Sequence, residues 1–153
     1  YIVVNVLLYI TVGIEEELMF RSVVTECVLR KNSNIIVFAS VYSGLLFGLA
    51  HITNFIFDAD MTMFNKWCTM IMACVFGFTL AVIFLRTKSI GAVITLHFLW
   101  DFADFMNHMM IVERYRYGGS YNALALQIPV LIVMFVIAVF CMYNKRQMRL
   151  QSV

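Results

Sequence analysis

Charge is what this sequence has least of: Asp, Glu, Lys and Arg supply 13% of its 153 residues, where a soluble domain carries about a quarter. That deficit excludes an ordinary water-facing fold. Proline occurs once, at Pro129, and internal repeats and low-complexity tracts are absent. Secondary transporters usually show repeated segments and helices broken by Gly or Pro at mid-membrane, so these absences count against a carrier. The cysteines Cys27, Cys68, Cys74 and Cys141 include no C-x-x-C pair, and each lies in an apolar stretch. There they behave as small hydrophobes and imply neither a disulfide framework nor a zinc site. A basic n-region with a small-residue cleavage site is missing from the opening run, so that run is not expected to be a signal peptide. The net charge of +2 is too small to suggest a nucleic-acid partner.

What is present is apolar surface, with 63% hydrophobic residues and a mean hydropathy of +0.88. Runs with little or no charge occupy residues 1–14, 34–57, 67–85, 89–100 and 124–143. Crossing the hydrocarbon takes roughly 20 helical residues, so the second, third and fifth qualify alone. The fourth qualifies only if His97, Asp101 and Asp104 are admitted. The first is short and opens at Tyr1 without a methionine, so an N-terminally trimmed piece of a longer polytopic protein is expected. The expectation is an all-α polytopic transmembrane bundle of about five helices, forming one domain over residues 1–153.

Along the chain, Gly13 is expected to break the opening run and residues 14–30 to form a helix. Its carboxylates would then sit in the first turn, where the helix dipole favours them. A polar turn at 30–34, a helix over 34–57, an acidic loop at 58–60 and a helix over 67–85 follow. After a tight basic connection at 86–89 come a helix over 90–106, a loop over 109–122 with Gly118 and Gly119, and a last span over 124–143, with Pro129 near its start as the expected point of a kink. Alternating the spans gathers Arg30, Lys31, Arg86, Lys88, Lys145, Arg146 and Arg149 on one side, against Lys66, Arg114 and Arg116 on the other. The positive-inside rule makes the first side, with the C-terminal tail, cytoplasmic. The basic tail 145–149 then anchors to anionic lipid of the bilayer.

Against this background Glu16, Glu17, Arg21, His51, His97 and Asp101 interrupt apolar stretches. Ionisable groups at bilayer depth cost several kcal/mol each and mark functional sites by default. With about 1.5 Å of rise per residue, Glu16, His51 and Asp101 lie roughly 20–24 Å from the ends of three different helices, in one layer. Glu17 and Arg21 are i,i+4 with the acid first, the better orientation for an ion pair. Glu16 is turned about a hundred degrees away and free to face another helix. His97 and Asp101 share a helical face, and Phe47 lies one turn before His51. Each residue alone has a bland reading. A lone histidine in a span is more often a satisfied interhelical hydrogen-bonder, and acidic runs more often form a solvated first turn, which suits Glu15. Asp104 and His108 read as interface residues, and the methionines and phenylalanines as packing.

Glu16-Glu17-x-x-x-Arg21, Phe47-x-x-x-His51 and His97-x-x-x-Asp101, in order and on separate hydrophobic segments, resemble the three motifs of the CAAX-protease and bacteriocin-processing (CPBP, or Abi) intramembrane proteases, which include the type II CAAX prenyl endopeptidases. The local contexts EELMFR, LLFGLAHITN and SIGAVITLHFLWD agree, and the resemblance covers residue 13 to about 104. It implies an all-helical intramembrane endopeptidase, in which Glu16 and His51 activate water and Glu17 with Arg21 forms a structural pair. It implies also that His97 and Asp101 stabilise the oxyanion of the tetrahedral intermediate. The last position is often asparagine in the family. An ionised carboxylate repels an oxyanion, so Asp101 must be protonated, orient His97, or bind a metal; orientation of His97 is preferred.

Substrates implied by the resemblance are a prenylated C-terminal tail, or peptides in bacteriocin maturation or self-immunity, in the cytoplasmic membrane of a prokaryote. No cofactor is expected. The alternative within the enzyme class is a zinc metalloprotease with Glu16, His51, His97 and Asp101 as Zn²⁺ ligands, although H-E-x-x-H is absent and the histidines come from separate helices. Outside the enzyme class stand a proton-coupled transporter and a catalytically silent immunity or scaffold protein.

Overall fold

The computed structural model describes residues 2–31, 36–57, 59, 62–116 and 123–143, and all of its regular structure is helical. The elements are α1 (Ile2–Glu17), a π-helical segment (Leu18–Thr25), α2 (Glu26–Lys31), α3 (Ile36–Ala50), α4 (Thr53–Phe57), α5 (Met63–Thr87), α6 (Ile90–Arg116) and α7 (Ala123–Tyr143). An all-α bundle is therefore what the chain forms. Two stretches, Ile36–Phe57 and Met63–Thr87, are long and apolar enough to cross a bilayer, and Ile128–Met142 is a shorter apolar helix.

Several boundaries differ from the sequence reading. Gly13 does not break the first run; α1 passes through it, because a helix can carry one glycine for about 1 kcal/mol. Glu16 and Glu17 consequently end a helix rather than begin one, and the dipole does not account for them. Beyond them the backbone widens into the π-helical turns, which no side-chain periodicity announced. The 34–57 span stops at Ala50 and resumes at Thr53, with a turn at His51 and Ile52. Helix α6 runs on to Arg116, so much of the expected 109–122 loop is helical. Helix α7 continues through Pro129, which sits in its first two turns. The turn residues 32–34, the acids Asp58 and Asp60, the pair Gly118 and Gly119, and the basic tail 145–149 lie outside the described residues.

Packing explains the architecture. Helices α3 and α5 run antiparallel at close range, because a Cβ on Gly44 would meet the Phe78 amide nitrogen at 2.7 Å and one on Gly77 would meet Phe47 Cβ at 2.7 Å. Small residues in this role let membrane helices approach backbone to backbone. Helix α1 lies antiparallel along α6, with Gly13 against Ile94 and His97 and with Tyr9 on Phe105. Helix α7 covers α5 through Phe135 on Phe78. Thr62 caps α5 at its start and Ser89 caps α6, each hydroxyl accepting a backbone amide at 3.2 Å. Lys88 ends α5 in the left-handed conformation, φ 54°.

The bundle is apolar outside and encloses polar groups within a largely apolar core. Glu17, Arg21, Thr25, Ser40 and Ser43 are fully buried, whereas Val3, Leu7, Val37, Ile56, Ile132 and Phe140 are exposed. Such a distribution suits lipid as the surrounding solvent and buries the groups that lipid cannot solvate.

Candidate active site

The site assembles from three helices. At the junction of α1 with the π-helical segment, Arg21 Nε lies 2.7 Å from Glu17 Oε2 and Arg21 Nη2 donates to Glu17 Oε1 at 3.0 Å. The pair expected from i,i+4 spacing is thus bidentate, and both side chains are at zero exposure. Helix α6 brings His97 to the same carboxylate, with Nδ1 at 2.8 Å from Glu17 Oε1. A carboxylate only accepts, so Nδ1–H donates and Nε2 is turned the other way. There it faces Glu16 Oε2 and Asp101 Oδ2, each at 3.6 Å and beyond hydrogen-bonding reach.

Two expectations are corrected by this geometry. The bond that orients His97 comes from Glu17, not Asp101, which stands off the opposite ring nitrogen. Glu17 is accordingly more than a helix brace, since one carboxylate serves both Arg21 and His97. Glu16 and Asp101 are the accessible acids, their side chains 35% and 22% exposed beside a nearly buried His97.

His51 arrives from the end of α3. Its backbone amide donates to Gly48 O at 3.1 Å, tightening the last turn and releasing the Phe47 carbonyl from its usual i+4 partner. The imidazole takes that place, donating from Nδ1 to Phe47 O at 3.0 Å. A neutral His51 therefore carries its lone pair on Nε2. The Phe47 ring separates the two histidines, with centroids 5.3 Å from His51 and 5.6 Å from His97, and it lies under the Arg21 guanidinium at 5.1 Å. Phe76 meets His97 edge-on and Trp100 packs on Phe76, so the inner side of the site is an aromatic wall. His51, His97, Glu16 and Asp104 all lie within electrostatic range of the Asp101 carboxyl.

All six sequence-selected residues therefore surround one locus. Among the described residues His51 makes no ion pair with Glu16, and no three His, Cys, Asp or Glu side chains are gathered closely enough to hold a metal. Nδ1 of each histidine is bonded to a protein acceptor, so Nε2 is the atom each ring offers to any other partner. Sequence reasoning passed over Ser43, which is buried against Arg21. Its signal was the stripe Ser43, Phe47, His51 at i, i+4, i+8 on one face of α3.

Comparison with protein families matches residues 1–103 to the type II CAAX prenyl endopeptidase Rce1-like family. That stretch carries Glu16, Glu17, Arg21, His51, His97 and Asp101. Neither curated proteins nor solved structures give a match. The apolar exterior and the two long apolar helices, taken with the family, make the chain an integral membrane protein. With three motifs meeting around one buried ion pair and two thirds of its length matched, the chain belongs to the type II CAAX prenyl endopeptidase Rce1-like family.

Proposed function

We propose that this chain is a metal-free glutamate endopeptidase that cleaves a prenylated C-terminal tail within the membrane. Family membership supports CAAX endopeptidase activity in general; the roles of single residues are our reading. Glu16, the accessible carboxylate, takes a proton from water while His51 Nε2 accepts the second hydrogen bond of that water. The water oxygen bonds to the scissile carbonyl carbon, and the carbonyl π electrons move to oxygen. His97, when protonated at both nitrogens, donates from Nε2 to that oxyanion, its ring held by Glu17. On collapse the C–N bond breaks and the proton held by Glu16 passes to the departing amine. Arg21 neutralises Glu17, so that the carboxylate that holds His97 adds no net charge to the site. Asp101, ionised while His97 is an imidazolium, balances its charge from the side of Nε2.

The observation that carries this reading is the 2.8 Å bond from His97 Nδ1 to Glu17, which joins α1 to α6 and aims Nε2 at the accessible acids. We further assign Arg86 and Lys88 to the cytoplasmic face on the positive-inside rule. The test is cleavage of a fluorogenic farnesylated CAAX peptide by the full chain in detergent, wild type beside Glu16→Gln and His51→Ala. Activity in the wild type and its loss in both variants is expected. Full activity in Glu16→Gln would remove the glutamate mechanism, and no cleavage by the wild type would remove prenyl-tail processing.

A further inference from the structure

Hydroxyl side chains inside apolar helices ordinarily bond their own i−4 carbonyl. Ser40 and Thr79 do so here, to Ile36 O at 3.0 Å and Val75 O at 2.9 Å. Ser43 does not. Its hydroxyl donates instead across to Phe20 O at 3.2 Å, and accepts from Arg21 Nη1 at 3.4 Å. It is fully buried, and it stands one turn before Phe47, whose ring underlies the same guanidinium. The Phe20 carbonyl belongs to the π-helical segment and takes a second bond from Thr25 Oγ1 at 2.8 Å, five residues on, as a widened turn requires.

One hydroxyl on α3 is therefore bound to both the backbone and the cation of the segment that follows Glu17. We infer that Ser43 is a positioning residue for the proposed peptidase, locking the π-helical segment and Arg21 so that Glu17 holds His97 with Nε2 aimed at the substrate carbonyl. This inference rests on the proposed function for its kinetic consequence but not for its structural one. The chain runs Ser43, Arg21, Glu17, His97, and it links the helix that ends in His51 to the helix that carries His97. Thr25 shares the Phe20 carbonyl without touching Arg21 in this network, which makes it the control for mere backbone support.

The experiment has two readouts on the full chain in detergent. The first is kcat and KM on the farnesylated peptide. The second is histidine side-chain ¹⁵N NMR, where three histidines give three ring systems to assign. Ser43→Ala is expected to lower kcat about tenfold with KM unchanged, the loss of one hydrogen bond to a charged group. It is expected also to shift the His97 Nδ1–H resonance as its bond to Glu17 loosens. Ser43→Thr, which keeps the hydroxyl, restores both. Thr25→Val lowers the melting temperature but leaves kcat and the His97 spectrum as in wild type. If Ser43→Ala does not fold, Ser43→Cys, a weaker donor of similar size, carries the same comparison. An unchanged His97 spectrum in Ser43→Ala, or in Ser43→Cys if it takes its place, overturns the inference, as does an equal kcat loss in Thr25→Val. If wild type cleaves nothing, the proposed function falls while the spectrum still judges Ser43.

Discussion

At the residue scale the site separates fully buried groups from accessible ones. Glu17 and Arg21 are fully buried and paired with one another, with His97 on the acid and Ser43 on the base, so neither is open to substrate. Glu16, His51 and Asp101 are the partly exposed members. The two classes should respond differently to mutation. Glu16→Gln is expected to cut kcat on the order of 100- to 10,000-fold, the range of lost general-base catalysis, with unfolding temperature unchanged. Arg21→Ala strands a buried carboxylate and is expected to destabilise the protein by about 3–5 kcal/mol, measured by thermal unfolding in detergent. Equal thermal shifts in the two variants would contradict this division. The six residues were legible because an ionisable side chain in an apolar run is chemically conspicuous. Ser43 was not, since a buried serine looks the same in sequence whether it bonds its own helix or another.

At the element scale, what matters is where helices depart from regularity. The Leu18–Thr25 π turns and the interruption at His51 and Ile52 fall next to motif residues, yet neither contains glycine or proline. That is why helix existence could be read from hydropathy while these departures could not: each goes with a side-chain bond to a backbone carbonyl, Ser43 to Phe20 from another helix and His51 to Phe47 one turn back. The glycines make a second contrast. A methyl on Gly44 would press on the α5 backbone at 2.7 Å, so Gly44→Ala is expected to cost about 1–3 kcal/mol of overpacking and to lower activity by parting α3 from α5. A methyl on Gly13 finds its nearest neighbour, Ile94 O, at 3.7 Å, ordinary contact. Gly13→Ala is therefore expected to stabilise by about 0.5–1 kcal/mol, because α1 passes through that position as regular helix. Thermal unfolding of the two variants side by side checks both signs.

For the whole molecule, the arrangement is an apolar shell around an apolar core that encloses one polar cluster. The five hydrophobic runs anticipated this, and the family match over residues 1–103 places all three motifs in one membrane protein. Two expectations belong to this scale. Activity on the farnesylated peptide is expected to survive chelator treatment; its loss, restored by Zn²⁺, would instead establish a metalloenzyme. A cysteine placed by Lys88→Cys in a chain otherwise cleared of cysteine is expected to react with a membrane-impermeant maleimide from the cytoplasmic face only. Labelling from the opposite face would invert the orientation.

The interruption between α3 and α4 has a further consequence. Backbone that leaves helical geometry at membrane depth is tolerated only against protein or beside a hydrated cavity. Here the Phe47 and Ala50 carbonyls are closed by the His51 ring and the Thr53 hydroxyl, while Ile52 and Thr53 face outward. Hydrolysis needs two reactants, and the lipid can deliver only the greasy one. The corner at His51 is therefore where water is expected to reach the site, so that the kink that places the imidazole would also admit the second reactant.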